Sequence, residues 1–494
     1  MISRRKFLVL GGVLVAWPYG CTQKKPLPIG IRVNDVHSQL NATTVNRILK
    51  VDSIKSIRDA INIARREDKA ICIAGGRHAM GAQQFATDAV LIDMTKLNQV
   101  MDFDSEKGII EIGAGIEWPE LVEYLLTAQE GLPHQWGIVQ KQTGTDRLSI
   151  GGAMAANAHS RGLLYKPFIQ DVESFVLIDA EGNARRCSRD ENRELFNLAI
   201  GGYGLFGIIA TVKLRLAQRV KIERVVKVID IKDLARSFEK RIAEGFLFGD
   251  FQFSTDIGSE DLLRKGVFSC YKPVAETTPI GDGKKSLAKE DWSRLMKLAH
   301  IDRNQAFIEY STYYLSTSGQ VYWSDLHQMS SYTDDYHQLL DRQLEREVKG
   351  SEMITEIYVP RNKLVDFTND VRRDFDEHNV NLIYGTIRLI EKDDESFLAW
   401  AKESWACIIF NLHVNHTEAG KEKAAIDFRR LIDRGIKYGG SYFLTYHRWA
   451  SRKQVETCYP QFAEFLRLKR KYDPTERFQS DWYRHYIEMF ADEL

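Results

Sequence analysis

The sequence predicts an α+β protein built from two domains. The chain has 494 residues, which is more than one hydrophobic core usually serves. Its first part alternates helical segments with short β-branched runs and is punctuated by glycine clusters. The middle part loses these clusters and becomes richer in aromatic and charged residues. This change in composition places a domain boundary near residue 217.

The first domain is expected to span residues 35–217. Residues 51–66 have helical periodicity, and residues 70–74 and 90–93 are short β-branched runs typical of strands. Glycine at the end of a strand lets the backbone turn tightly and come close to a ligand. The glycine clusters lie at 75–76, 113–115, 151–152 and 201–207.

The second domain is expected to span residues 218–439. Strand-like runs at 247–253, 307–314 and 408–414 predict an antiparallel sheet flanked by helices. The last segment, residues 440–494, contains a helix stop and a turn around Asp473 and Pro474. We expect this segment to return to the first domain.

The composition is that of an ordinary globular protein. Lys and Arg together number 68 and balance 68 Asp and Glu, so the chain lacks the basic excess of a nucleic-acid-binding protein. Five cysteines are widely spaced and form no CxxC pair or metal-ligand cluster, so we expect buried thiols and no metal site. They are Cys72, Cys187, Cys270, Cys407 and Cys458.

The N-terminus has a different character. Arg4, Arg5 and Lys6 precede an uncharged run over residues 9–20, a pattern that resembles a twin-arginine export signal over residues 1–23. The alternative is a short membrane anchor, but twelve uncharged residues are too few to cross a bilayer as a helix. Lipidation at Cys21 is a further alternative. We therefore expect an exported, periplasmic protein that meets a membrane only during export or through a lipid on Cys21.

The most informative motif covers residues 71–83, where an apolar strand opens into a tight turn with three glycines. Such a turn lets consecutive backbone N–H groups converge on an anion such as a pyrophosphate. The motif does not have the GxGxxG spacing. It is also not a nucleotide-hydrolysing loop, because it lacks the Lys-Ser/Thr pair of such loops. By itself the turn is also compatible with a simple strand-to-helix corner.

Two further motifs narrow the choice. Residues 149–162 are nearly all small, which lets a flat ring lie against the backbone. Residues 192–196 are followed by a glycine-rich turn and a β-branched strand over 201–209, which can approach a nucleotide and supply backbone hydrogen bonds.

Together these motifs resemble the FAD-binding domain of the vanillyl-alcohol oxidase family, also called the p-cresol methylhydroxylase (PCMH) type. The resemblance implies two α+β subdomains that hold FAD, with a substrate domain over the isoalloxazine ring. It also implies a covalent bond from His78 to the flavin 8α-methyl carbon, in a loop like that of cytokinin dehydrogenases. Residues 144–150 contain no cysteine for a second link.

The resemblance assigns FAD contacts by position. Gln83 is expected beside the pyrophosphate, and Ile208 or Ile209 at the adenine end. His159 falls near flavin and substrate in related enzymes, but a structural histidine is an equal alternative. The other expected contacts are Gly75, Gly76, Arg77, Ala79 and Gly81 to the pyrophosphate, and Thr143, Gly144, Ser149, Gly152 and Ala153 to the ring and diphosphate.

The C-terminal half resembles the sugar-oxidising branch of the family, which includes aldonolactone oxidases, alditol oxidase and the decaprenylphosphoryl-ribose oxidase. Arg388 and His413 match its Arg and His strands. Thr386 stands where that branch often has Glu, and Tyr446 or His447 stands where it has a functional Lys, so the exact substrate stays open.

The resemblance implies oxidation of a CH–OH group in a sugar, polyol or aldonolactone, by hydride transfer to flavin N5. Dioxygen or a quinone-type acceptor then takes the electrons. His413 or His447 is the expected base, Arg388 the cation that stabilises negative charge, and Tyr446 a further polar candidate. We expect these groups to converge over the flavin. The alternatives are amine oxidation and a flavin electron-transfer protein without catalysis.

Overall fold

The computed structural model describes residues 30–330 and 336–494. The predicted export signal and Cys21 lie outside the described residues. The strands are β1 (Ile31–Val33), β2 (Thr43–Val45), β3 (Arg47–Lys50), β4 (Ile71–Ala74), β5 (Val90–Asp93), β6 (Val100–Asp104), β7 (Ile109–Gly113), β8 (Trp136–Ile138), β9 (Val172–Ile178), β10 (Ala184–Ser188), β11 (Ile208–Gln218), β12 (Lys221–Asp230), β13 (Phe248–Phe253), β14 (Lys265–Pro273), β15 (Val321–Trp323), β16 (Gly350–Pro360), β17 (Leu382–Ile390), β18 (Trp405–Asn415) and β19 (Ser441–Tyr442).

The α-helices lie mainly between these strands and in the C-terminal segment. They are α1 (Ile54–Arg66), α2 (Trp118–Ala128), α3 (Ile150–Ala155), α4 (Arg193–Ala199), α5 (Leu234–Ala243), α6 (Lys289–Ile301), α7 (Arg303–Ser316), α8 (Tyr336–Gln343), α9 (Leu364–His378), α10 (Glu418–Lys437), α11 (Arg452–Cys458), α12 (Phe462–Tyr472) and α13 (Asp481–Met489). Within the described residues, none of these helices has the length and apolarity needed to span a bilayer.

The first domain contains two main sheets. β3, β5 and β4 form a parallel sheet, and every residue of the central strand β5 is buried, as expected for a parallel strand covered on both faces. α1 connects β3 to β4 and starts at a capping box in which Ser53 and Ser56 satisfy each other's backbone N–H groups. The second sheet is antiparallel, in the order β10-β9-β11-β7-β6, with β8 also paired to β11.

The second domain is built on one eight-stranded antiparallel sheet in the order β15-β12-β14-β13-β17-β18-β16-β19. α10 packs against β16 and β18 through a buried stripe that includes Phe428, Leu431 and Ile432. β19 comes from the C-terminal segment, which then returns to the first domain. There the Ile71 N–H of β4 donates to the carbonyl oxygen of Arg477, and the Gln479 N–H donates to the carbonyl oxygen of Ile71, forming an isolated bridge. The predicted α+β fold class is confirmed.

One predicted strand is wrong. Residues 307–314 lie inside α7, while the runs at 247–253 and 408–414 fall within or around β13 and β18. Phe307, Tyr310 and Tyr314 follow the i, i+3, i+7 spacing of one helix face, and all three line a cavity. Their aromatic composition favoured a strand, whereas their spacing is helical.

Candidate functional site

The site is a cavity of about 740 Å³ between the glycine-rich loops of the first domain and one face of the eight-stranded sheet. The sheet contributes a row of four residues that are paired across neighbouring strands. In order they are Gln252 on β13, Thr386 on β17, Ile409 on β18 and Glu356 on β16. All four line the cavity. Because neighbouring strands lie about 4.8 Å apart, this floor is roughly 14 Å wide. α6 and α7 cover part of it, since Trp292 and Phe307 also line the cavity.

The turn after β4 forms the first wall. Here the backbone of Gly76 comes so close to the next loop that an added Cβ would lie 2.2 Å from the carbonyl oxygen of Arg147. Arg77 has a left-handed backbone with φ of 62°, which is uncommon for a residue with a side chain. Two glycines followed by a left-handed residue form the geometry that exposes backbone N–H groups to an anion. These residues therefore fit a pyrophosphate.

The second wall is the loop that leads from Thr143 to α3. Lys141 stabilises this loop, because its fully buried ammonium donates to the carbonyl oxygens of Gln142 and Thr145 at 2.9 Å each. The same ammonium forms an ion pair with Asp146 at 2.6 Å. Burial lowers the pKa of Lys141, and the ion pair opposes this effect. Sequence reasoning missed Lys141, because an isolated lysine next to a loop carries no motif.

Most of the predicted FAD contacts line the cavity. Gln83 does so as well, but its side chain mainly braces the turn, since it accepts from the Gly81 N–H and donates to the carbonyl oxygen of Leu444. The predicted contacts that line the cavity are Gly75, Gly76, Arg77, His78, Ala79, Gln83, Thr143, Gly144, Ser149, Gly152, Ala153, His159 and Ile209.

Two predicted FAD contacts lie elsewhere. Gly81 does not line the cavity, and an added Cβ there would lie 2.4 Å from the carbonyl oxygen of Tyr446, so this glycine allows the C-terminal segment to pack closely. Ile208 is fully buried in a separate apolar cluster with Ile178 and Phe478. The alternative offered with it, Ile209, is the residue that lines the cavity.

His78 lines the cavity and is held on both sides of its ring. Its Nδ1 lies 3.1 Å from Nε2 of His37, and its Nε2 lies 3.0 Å from the carbonyl oxygen of Arg147. Burial, followed by the nearby His337, lowers the pKa of His37 to about 4. His37 is thus neutral near pH 7, and it presents no second positive charge to His78.

Arg388 connects the two halves of the site. It is buried on β17, and its Nη2 donates to the hydroxyl of Thr143 in the flavin-side loop. Its Nε has no hydrogen-bond partner, and within residues 30–330 and 336–494 no carboxylate forms an ion pair with it. The structure thus places the predicted cation at the junction of the loop and the sheet.

Tyr446 also lines the cavity, where it belongs to a buried network that sequence reasoning missed. Its hydroxyl donates to Glu356 at 2.6 Å, and Tyr358 and His159 contact the other Glu356 oxygen at 2.8 Å each. Burial alone would raise the pKa of Glu356, but the charge and hydrogen bond of His159 and the two tyrosine hydroxyls lower it to about 2. Glu356 is therefore a carboxylate that orients its neighbours.

His413 and His447 do not line the cavity, contrary to the prediction. His413 points to the end of β18, where it contacts Glu352 at 3.4 Å and packs edge-on against His300. His447 is 3% exposed and stacks on Trp449 with ring centroids 4.2 Å apart. Burial lowers the pKa of His447 to about 4, although Asp35 opposes this effect. Neither histidine is positioned as a base for a substrate in this cavity.

Further polar residues of the sheet and of α7 line the cavity and were missed by sequence reasoning. They are Arg224, Asp250, Gln252, Arg303, Tyr310, Tyr384 and Asn411. Alternate residues on a strand share a face, so the polar positions 250 and 252, or 384, 386 and 388, were the available signal.

Comparisons with known proteins agree with this geometry. Residues 45–188 match the family model described as an FAD binding domain. These residues are therefore an FAD-binding domain of the PCMH type, and the chain is an FAD-dependent oxidoreductase, as predicted. The loops at 75–79 and 143–153 are the parts of this chain that would hold FAD.

Two similar proteins align over almost the whole chain. Mouse L-gulonolactone oxidase is 21% identical over 438 residues, which is 87% of this chain and 92% of that protein. The decaprenylphosphoryl-β-D-ribose oxidase of Mycolicibacterium smegmatis is 22% identical over 465 residues, or 90% and 95% of the two chains. Cytokinin dehydrogenase 3 of Oryza sativa subsp. japonica is 30% identical over 155 residues, but these cover only 30% of this chain and 28% of that protein.

Proposed function

We propose that this chain oxidises a CH–OH group of a sugar, polyol or aldonolactone. The observation that carries the proposal is the contact between Arg388 of the substrate-side sheet and Thr143 of the flavin-side loop, inside the shared cavity. It is supported by L-gulonolactone oxidase and decaprenylphosphoryl-β-D-ribose oxidase, which resemble the chain over nearly their full lengths.

FAD, when bound, supplies the acceptor for the hydride. Arg388 is placed to stabilise negative charge on the substrate oxygen while the hydroxyl proton passes to the Tyr446 oxygen and the proton of Tyr446 moves to Glu356. Tyr446 directs its proton to Glu356, so its oxygen is left to accept a hydrogen bond from the substrate hydroxyl. Buried Glu356 and His159 fix Tyr446 in this orientation.

We also propose that FAD is joined to His78 and that residues 1–23 export the folded enzyme to the periplasm. The first proposal is supported by the position of His78 in the cavity wall, where His37 and the Arg147 carbonyl fix its ring. A covalent bond would raise the flavin potential and prevent loss of the cofactor after export. The second is supported by the paired arginines Arg4 and Arg5 before an uncharged run.

The test is anaerobic stopped-flow reduction of the bound flavin by a panel of one sugar, one polyol, one aldonolactone and one amine. Bleaching by a CH–OH compound supports the proposal, and bleaching by the amine alone supports the cytokinin-dehydrogenase-like alternative. A flavin that none of them reduces would instead indicate an electron-transfer protein. Mixing the reduced enzyme with dioxygen or a soluble quinone then identifies the electron acceptor.

A further inference from the structure

The substrate side of the cavity carries four arginines that come from four separate places in the fold. Arg161 follows α3, Arg224 is on β12, Arg303 begins α7 and Arg388 is on β17. All four line the cavity. Arginine keeps its positive charge even when buried, so these groups concentrate positive charge in one partly enclosed space.

Their charges are poorly matched by the chain itself. For Arg224, Arg303 and Arg388, the structure shows no ion pair with any carboxylate between residues 30 and 330 or between 336 and 494. Arg161 has Asp250 at 3.8 Å, which is too long for a hydrogen bond. Neutral partners serve instead. Arg224 donates to the hydroxyls of Tyr271 and Thr317 and lies over the Tyr271 ring. Arg303 donates from Nη2 to the side-chain oxygen of Asn381, and its buried Nε has no hydrogen-bond partner.

The other carboxylates at the cavity already have histidine partners. Glu356 is paired with His159 at 2.8 Å. Glu352 is contacted by three histidines, His337 at 2.7 Å, His300 at 3.3 Å and His413 at 3.4 Å. Asp250 is therefore the one carboxylate among the described lining residues that faces the arginines without a histidine partner.

We infer that the substrate carries an acidic group, a carboxylate or a phosphate, which the arginines around Arg224 and Arg303 bind while Arg388 acts at the reacting carbon. A buried cation without a counter-ion is costly, and an anionic ligand would offset that cost with charge-assisted hydrogen bonds. The inference rests on the proposed function, because it specifies which hydroxylated compounds the same site takes. A neutral sugar or lactone would leave the charge unmatched.

The test is equilibrium binding to the FAD-loaded enzyme, followed by changes in the flavin absorption spectrum, with glucose, glucuronate and glucose 6-phosphate as matched probes. We expect at least about 10-fold tighter binding of one acidic probe than of glucose, because hydrogen bonds between charged groups exceed those to neutral ones by that amount. The difference should shrink as salt is added. Glucuronate and glucose 6-phosphate together distinguish a carboxylate site from a phosphate site.

Arg224→Gln and Arg303→Gln should each reduce the preference for the acidic probe over glucose. Arg236→Gln, at an exposed position of α5, is the matched control and should leave that preference unchanged. FAD content and melting temperature show whether each variant is folded. If one arginine variant does not fold, the other one still tests the inference. Equal affinity for all three probes, or no binding of either acidic probe, would overturn the inference.

Turnover separates this inference from the proposed function. An acidic probe that binds tightly but is never oxidised, in an enzyme that oxidises amines, would refute the proposed function and leave the acidic subsite in place. Glucose oxidised with the same efficiency as both acidic probes would support the proposed function and refute the subsite.

Discussion

Arg388 is a buried cation whose nearest neutral partner belongs to the other domain. Arg388→Ala should slow flavin reduction by on the order of 100-fold, because it removes the group placed to stabilise developing negative charge. FAD content and melting temperature should change little, since no ion pair is broken. Stopped-flow reduction measures the effect, and Arg236→Ala on the surface is the control. Unchanged reduction kinetics in the Arg388 variant would contradict the assigned role.

His78 is predicted to carry the flavin. After precipitation with acid, the wild-type polypeptide should remain yellow, whereas His78→Ala should bind FAD and release all of it into the supernatant. The variant should still bind FAD because the turn at Gly75 and Gly76 is intact. Its turnover should fall because the reduction potential of the flavin is lower without the covalent bond. His134→Ala, at an exposed position, should behave as wild type. Complete release of FAD from wild type would show that no covalent bond forms.

The sequence could identify residues that belong to a local motif. His78 follows a strand and sits among glycines, and Arg388 lies in a short strand-like run, so the family resemblance could assign each of them from its local motif. His413 and His447 could not be excluded in this way. Whether a histidine faces a cavity or packs against Trp449 or His300 depends on residues from distant elements.

β16 supplies Glu352 and Glu356 to the cavity, and the pKa of about 2 for Glu356 makes its contribution to stability dependent on pH. The ordinary value is 4.5, so the folded state favours the carboxylate. Its stabilising effect is complete above about pH 4.5 and is lost as the pH falls towards 2, and its size is on the order of 3 kcal/mol.

Glu356→Gln should therefore be less stable than wild type at pH 7, and its stability should fall less steeply between pH 5 and pH 2. Thermal unfolding at pH 7, 5, 4 and 3 measures both effects. Glu345→Gln, at an exposed position before β16, provides the control. The same pH slope in the Glu356 variant and in wild type would show that its contacts with His159 and Tyr446 do not stabilise the charged form.

Regular elements were predictable where periodicity and composition agreed. The helix expected over 51–66 and the strands expected over 70–74 and 90–93 correspond to α1, β4 and β5. α7 was mistaken for a strand because aromatic residues are typical of strands. Its aromatic residues have helical spacing instead, and they face a cavity. The pairing of β13 with β17, which builds the floor of the site, joins residues more than 130 positions apart and leaves no local signal.

At the scale of the whole molecule, the fold bears on the route of the proposed export. Elements of both domains form the cavity walls, and the C-terminal segment closes back onto β4, so we expect FAD to be held fully only when these parts have folded together. A cofactor loaded in the cytoplasm must then cross the membrane inside a folded protein. The twin-arginine pathway transports folded proteins, which is why the paired arginines and the FAD domain are consistent with each other.

Residues 1–23 fused to a reporter protein should direct it out of the cytoplasm only in cells with an intact twin-arginine pathway. Replacing Arg4 and Arg5 with Lys should abolish this export, because both arginines define the signal. Cell fractionation measures the distribution, and Lys24→Gln with Lys25→Gln in a slightly longer fusion is the control for a general effect of charge. In the full-length enzyme, the variant without paired arginines should accumulate in the cytoplasm with its flavin already bound. Export that persists in this variant would instead point to the general secretory route or to an uncleaved anchor. Because the general secretory route transports unfolded chains, FAD would then have to be loaded outside the cytoplasm.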